Sequence, residues 1–253
     1  MPLTQLLKAE HIRQRANYFY LVVFGFPLLQ CLLQFGILYF NGPKMLTDQQ
    51  NAWPTLQQGI WGFWSVLTWP LLVGVLGRMV VGIDHDHHNW KNFFSIGISR
   101  QAYLWSKLIV YLSGLFIALF VLSLGMVATG LLLSIVQPAL YLPGIPGWQE
   151  LVLMPLAVFA GSFLIAGIHF YLGVRIKPAA IVFGLVVFCT LANLLFAYNK
   201  GLAPFYPWSY PALATTLVTG RSDLGTFAWW LAPINFTGML LLCLAAFRAL
   251  RRL

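Results

Sequence analysis

Asp84-His85-Asp86-His87-His88-Asn89-Trp90-Lys91-Asn92-Phe93-Phe94-Ser95-Ile96-Gly97-Ile98-Ser99-Arg100, running on to Lys107, is the one long polar, charged segment between the first and last hydrophobic blocks of a 253-residue chain. Trp90, Phe93, Phe94 and Ile98 recur at i, i+3, i+4 and i+8. That spacing places them on one face of a short helix. His88, Lys91, Asn92 and Ser95 fall on the other face. A short amphipathic helix between two membrane spans can lie on the bilayer, dock a partner, or do both. The rest of the chain sets the choice.

Outward from that segment, the composition is that of a membrane protein. Hydrophobic residues make up 60% of the chain and charged residues only 8%, where a soluble domain carries roughly a quarter. The length suits about six spans of ~20 residues plus loops. The net charge of +9 would suggest nucleic acid in a soluble protein. Here it fits the cytoplasmic excess of Lys and Arg of membrane proteins. No short apolar region ends in a small-residue cleavage site, so a cleavable signal is not expected. Cys31, Cys189 and Cys243 all sit in apolar runs and read as buried thiols rather than disulfides or metal ligands.

Before the first span, residues 2–16 read as an interfacial helix. Leu3, Leu6 and Leu7 form one side, and Lys8, Glu10, Arg13 and Arg15 make the rest polar. Apolar runs predict spans over about 18–40, 60–83, 108–136, 151–174, 179–198 and 227–250. Pro27 is expected to kink the first, and Asn41-Gly42-Pro43 to end it. Arg78 falls near the end of the second and is expected to snorkel to the interface. Residues 203–211 are rich in aromatics and proline, and 212–219 can form a short helix. This segment is too short to span and fits a re-entrant or interfacial element carrying Tyr206, Trp208 and Tyr210. The fold expected is therefore all-α and integral to the membrane, one domain over 1–253.

Charge sets the orientation. Lys8, Arg13, Arg15, Arg78, Lys91, Arg100, Lys107, Arg175, Lys177, Arg248, Arg251 and Arg252 collect on one side, against Lys44, Lys200 and Arg221 on the other. The positive-inside bias puts both termini and the segment 84–107 in the cytoplasm and the 203–219 segment outside.

Absent motifs narrow the function. No G-x-x-x-x-G-K-[ST] phosphate loop is present, so ATP is not used through that device. No Asp or Glu falls inside an expected span, whereas ion-coupled carriers usually need one. His169 reads as a hydrogen-bonded structural histidine near the cytoplasmic end of the fourth span. His85, His87 and His88 with Asp84 and Asp86 carry metal-ligand chemistry. Their contiguous order suits a solvated helix cap, from Asp86 or Asn89, better than an H-E-x-x-H-type site. No metal site, no catalytic residue and no nucleic-acid partner is expected. A transporter without an ion relay or an ATPase motif needs a separate motor.

The run from Asp84 to Lys91, then Ser99-Arg100, then Tyr103-Leu104-Trp105-Ser106-Lys107-Leu108, resembles the permease subunits of ABC-2 type transporters. It is most like the lantibiotic self-protection group and its bacitracin-resistance-like relatives. It departs from them in having Asp84 where Glu is frequent, histidines where asparagines are common, and Gly97 in place of proline. The resemblance implies a membrane half of an ABC exporter in the bacterial cytoplasmic (inner or plasma) membrane. His88, Asn89, Trp90, Lys91, Phe93, Phe94, Ile98, Ser99 and Arg100 would then be the coupling helix seated on a separate ATPase. Leu3, Leu6, Leu7 and Arg13 would belong to the interfacial elbow helix. The 203–219 segment would be the extracellular re-entrant element. Two permeases, identical or related, would meet two ATPase subunits, which would hold ATP and Mg; this chain would carry no cofactor.

The outer edges are dense in aromatics: Trp53, Trp61, Trp148, Tyr206, Trp208, Tyr210, Trp229 and Trp230. That suits cargo partitioning into the membrane boundary, such as an amphipathic antimicrobial peptide or a lipid-like compound, and suits an ordinary aromatic belt equally. A membrane scaffold or sensor without transport is the alternative from another class, and a metal-linked membrane protein using the histidines is a third.

Overall fold

A computed structural model describes residues 3–46, 50–86, 97–199, 201–220 and 227–251. Every regular element among them is helical: α1 (Leu3–Ala16), α2 (Phe19–Met45), α3 (Trp53–Phe63), α4 (Trp69–Asp86), α5 (Arg100–Val136), α6 (Met154–Gly161), α7 (Phe163–Arg175), α8 (Ala179–Phe196), α9 (Tyr210–Val218) and α10 (Phe227–Arg251). A π turn, Trp64–Thr68, joins α3 to α4. Five helices are each long and apolar enough to cross a membrane, counting α3–α4 as one. The segments Glu150–Gly161 and Phe163–Arg175, bent by 48°, bring the number to six when taken as one broken span. The protein is an all-α integral membrane protein.

The spans run longer than hydropathy alone indicates. The first continues past Asn41-Gly42-Pro43 to Met45, the second begins at Trp53, and the third begins at Arg100 and is 37 residues long. Pro43 does not end its helix because its cost is met from outside. A proline has no N–H for the carbonyl four residues back, here that of Tyr39, and the side-chain amide of Gln137 donates to that carbonyl at 2.9 Å. Gly42 adds a close approach: a Cβ there would lie 2.9 Å from the Leu140 side chain.

The same device recurs deeper in the bundle, where no water is at hand for a freed backbone group. Pro70 has no hydrogen for the Val66 carbonyl, and the Asn193 amide donates to it at 2.8 Å. At the 48° bend, the Leu164 amide donates to Asn235 Oδ1 at 3.1 Å. Ser162 donates back to the Val158 carbonyl, a bond that bends helices, and accepts from the Trp69 indole. Asn193 and Asn235 are both wholly buried. These intramembrane amides hold the irregular backbone in place.

The helix α1 and the C-terminal end of α10 lie at the same end of the bundle. Arg13 of α1 reaches Asp84 of α4, and Phe247 of α10 packs on Trp105 of α5, ring centroids 5.9 Å apart. At the opposite end, Ala52 donates to the Tyr141 carbonyl at 2.8 Å and the Trp53 indole to that of Pro143 at 3.2 Å. These bonds staple the two far connections together.

Candidate functional site

Two regions position the residues singled out by the sequence. The first is the junction of α1, α4 and α5, where the segment 84–107 leaves and rejoins the bundle. His88, Asn89, Trp90, Lys91, Phe93 and Phe94 lie outside the described residues, as do His87 and the whole amphipathic pattern up to Ser95. Its C-terminal flank is described. Ile98 is buried. The cap expected of Asp86 or Asn89 belongs to the short helix that falls outside the described residues, and α5 has its own cap in Ser99, whose backbone is extended and whose hydroxyl accepts from the Ala102 amide at 3.2 Å, satisfying one of the helix's orphan donors. Arg100 is the first residue of α5 and is half-buried.

Beside these flanks lies a closed charge cluster. Lys107 is wholly buried and uses all three of its donors. They go to Asp84 at 2.7 Å, Glu10 at 2.9 Å and the Val80 carbonyl at 2.8 Å. The other Asp84 oxygen takes Arg13, and the Tyr103 hydroxyl donates to the Lys107-bound one. Glu10 also accepts from Arg13 at 3.3 Å and Gln14 at 2.7 Å. Two carboxylates and two cations thus cancel within one buried site. Burial works against the charge on Asp84, but Lys107, Tyr103 and Arg13 outweigh it and hold the carboxyl below its ordinary range. Burial likewise opposes the charge on Arg13, and Asp84 and Glu10 more than restore it.

This cluster turns the sidedness of α1. The expected apolar face, Leu3, Leu6 and Leu7, is split: Leu6 is buried, Leu7 partly buried and Leu3 exposed. The buried stripe is Leu6, Glu10 and Gln14, spaced i, i+4, i+8, so the helix docks through polar groups. Tyr18, left-handed at φ 58°, turns the chain from α1 into α2. Arg78 also departs from the snorkelling expected of it. It is buried, donates to the Lys177 carbonyl at 3.2 Å, and fills the space over Gly82, where a Cβ would fall 1.4 Å from its Nη1.

The second region is the segment around Tyr206, Trp208 and Tyr210. Two 3₁₀ turns, Ala203–Phe205 and Pro207–Ser209, lead into α9. The Trp208 indole donates to His169 Nε2 at 3.3 Å. His169 lies about 9 Å along α7 from its Arg175 end at 1.5 Å per residue, so the segment reaches deep between α7 and α8. Tyr206 donates to the Cys189 carbonyl at 2.6 Å, and Ser209 to Asn193 Oδ1 at 2.6 Å. Tyr210 is buried, its carbonyl against Gly161, where a Cβ would sit 3.0 Å away. The outer aromatics therefore divide. Trp53, Trp61 and Tyr210 face the protein interior, while Trp148 and Trp230 are exposed as a belt would be. The side chain of Trp229 lies outside those described.

Sequence reading missed the junction because it sorted Glu10 and Arg13 as solvent-facing and Asp84 and Lys107 as loop charges. The signal was present: Glu10, Arg13 and Gln14 share a helix face, and two opposite charges flank the polar segment.

The chain belongs to the ABC-2 transporter family: the model described as ABC-2 family transporter protein matches residues 6–193, which takes in the junction, the first four spans and most of the fifth. It is thus a multi-pass membrane permease of an ABC transporter, a family that works with an ABC ATPase. No curated protein and no solved structure matches it.

Proposed function

We propose that this chain is the membrane half of an ATP-driven exporter of the lantibiotic self-protection or bacitracin-resistance kind, moving a hydrophobic or amphipathic compound such as an antimicrobial peptide. The observation that carries the coupling part is the buried junction of Glu10, Arg13, Asp84 and Lys107. It clamps α1, α4 and α5 at both feet of the segment 87–96, so a push on that segment would move three helices as one body. The charge asymmetry of the sequence supports a cytoplasmic place for this end, and the resemblance to the self-protection permeases supports a bacterial membrane. Trp90, Phe93 and Phe94 are the anchors a groove on the ATPase would bury. A second permease, identical or related, completes the pathway, with two ATPase subunits holding ATP and Mg.

The test is expression with its partner ATPase. Deleting the gene should sensitise the cell to a membrane-active peptide, and restoring both chains should rescue it. Replacing Phe93 and Phe94 together by Ala should uncouple hydrolysis from transport with the spans intact. Unchanged peptide sensitivity after deletion would remove the peptide assignment. Undiminished coupling in the double variant would remove the docking assignment.

A further inference from the structure

The outward side of α1 carries charge of one sign. Its single acid, Glu10, is turned inward to Lys107 and Gln14, and Arg13 is spent on Glu10 and Asp84. Lys8 and Arg15 are left exposed. With His11 between them they fall at i, i+3 and i+7, along one stripe of the helix. The junction that clamps α1 therefore also sorts its charges, with the carboxylate inside and these two cations outside.

That stripe is fixed beside the first span. α1 ends at Ala16, and Tyr18, at φ 58°, turns the chain so that α2 starts at Phe19. The His11 ring stacks with Tyr20 of α2, centroids 6.1 Å apart and planes 13° from parallel, and its Nδ1 is hydrogen-bonded to the Tyr20 hydroxyl. From Tyr20 an i, i+4 row runs on along α2 through Phe24, Leu28 and Leu32. These three are 44%, 53% and 65% exposed, on a helix long and apolar enough to cross a membrane. A cationic stripe at the mouth of a span thus continues into an open apolar row, the outline of an amphiphile with a negative head.

We propose that α1 and the start of α2 form a binding site for an anionic diacyl phospholipid, its phosphate on Lys8 and Arg15 and one acyl chain along Phe24, Leu28 and Leu32. Arg15 offers paired donors that match two phosphate oxygens, and Lys8 a compact point charge. A zwitterionic lipid brings the same phosphate together with an ammonium that both cations repel, so the net charge of the headgroup sets the selection. The lipid braces α1 from outside while Glu10 and Arg13 hold it from inside.

The test uses the full chain with its ATPase in phosphatidylcholine nanodiscs doped with one of two photoreactive lipids. These are phosphatidylglycerol and phosphatidylcholine with the same diazirine-bearing acyl chain. Labelling of Phe24, Leu28 and Leu32 is read against Leu191 and Leu195, exposed residues of α8, as the reference. Phosphatidylglycerol should label the α2 row more strongly than phosphatidylcholine, by about fivefold for each of the two cations and about thirtyfold together. The double variant Lys8→Gln with Arg15→Gln should bring the ratio to about one. It keeps the fold, because both side chains are exposed and lie outside the junction; unchanged hydrogen exchange of α4 and α5 checks this. Equal labelling of the row by the two lipids in wild type, or a preference undiminished in the double variant, overturns the proposal. So does a row that neither lipid labels, as when a second copy of the chain covers it. A flat lipid preference combined with loss of the ATPase from the double variant assigns the face to the ATPase instead, and also overturns it.

Discussion

Lys107→Met tests whether the charge junction holds α1 onto the bundle. The substitution keeps most of the side chain's volume and removes one charge from a site whose four charges cancel. Asp84 would keep Arg13 and Tyr103, Glu10 would keep Gln14 at 2.7 Å and Arg13 at 3.3 Å, and the Val80 carbonyl would keep Gln14 at 3.4 Å. Removing one partner of a buried ion pair costs about 3–5 kcal/mol. Because every group left behind retains a donor, the lower end applies, about 3 kcal/mol, or roughly a hundredfold in the opening equilibrium of α1. Hydrogen–deuterium exchange of peptides covering α1 reads that opening directly. The companion Lys107→Met with Glu10→Gln restores neutrality, leaving Asp84 against Arg13, so the double variant should recover much of the loss. If the two substitutions simply add to within about 0.5 kcal/mol, the charges do not act as one unit and the reasoning fails.

Other outcomes follow from the same contacts. Gly82→Ala should push Arg78 off the Lys177 carbonyl and cost about 1–2 kcal/mol; in the background of Arg78→Met the same change should cost almost nothing, as thermal unfolding in detergent would show. Asn193→Leu removes the donor to Val66 and the acceptor for Ser209, and should lower stability by about 1–2 kcal/mol while raising proteolysis of the 203–219 segment; equal proteolysis in wild type and variant would refute the hook. The Asp84 carboxyl lies below its ordinary value of 3.8, so its contribution is full above that value and is lost as pH falls through the lower folded value. Exchange protection of α1, corrected for intrinsic rates, should therefore be flat between about pH 5 and about pH 8 and decline only in stronger acid; a loss centred near neutrality would point to a different group.

The class of fold and the rough places of the spans were legible because hydropathy is a sum over ~20 residues and tolerates local error. What escaped was decided by single polar atoms. Nothing in Asn41-Gly42-Pro43 itself says that its helix continues; Gln137, far along the chain, does, by donating to Tyr39. The short helix after the aromatic run was visible in its composition, and it begins at Tyr210, close to the expected 212. Its depth was not, since that depends on Trp208 meeting His169. Burial of Lys107 and Asp84 was hidden for the same reason. A charge beside an apolar run reads as solvated until its partners, Glu10 and Arg13, are seen on another helix.

One span connects the two regions. The helix pair from Trp53 to Asp86 holds Asp84 in the charge junction at one end and runs through the π turn Trp64–Thr68, with Pro70 just beyond it. At that turn Asn193, which also accepts from Ser209 of the 203–219 segment, donates to the Val66 carbonyl, and Ser162, at the bend of the fourth span, accepts from Trp69. The same helix therefore carries both the junction and the anchor of the 203–219 segment, so a variant that loosens Asn193 should be followed at both places.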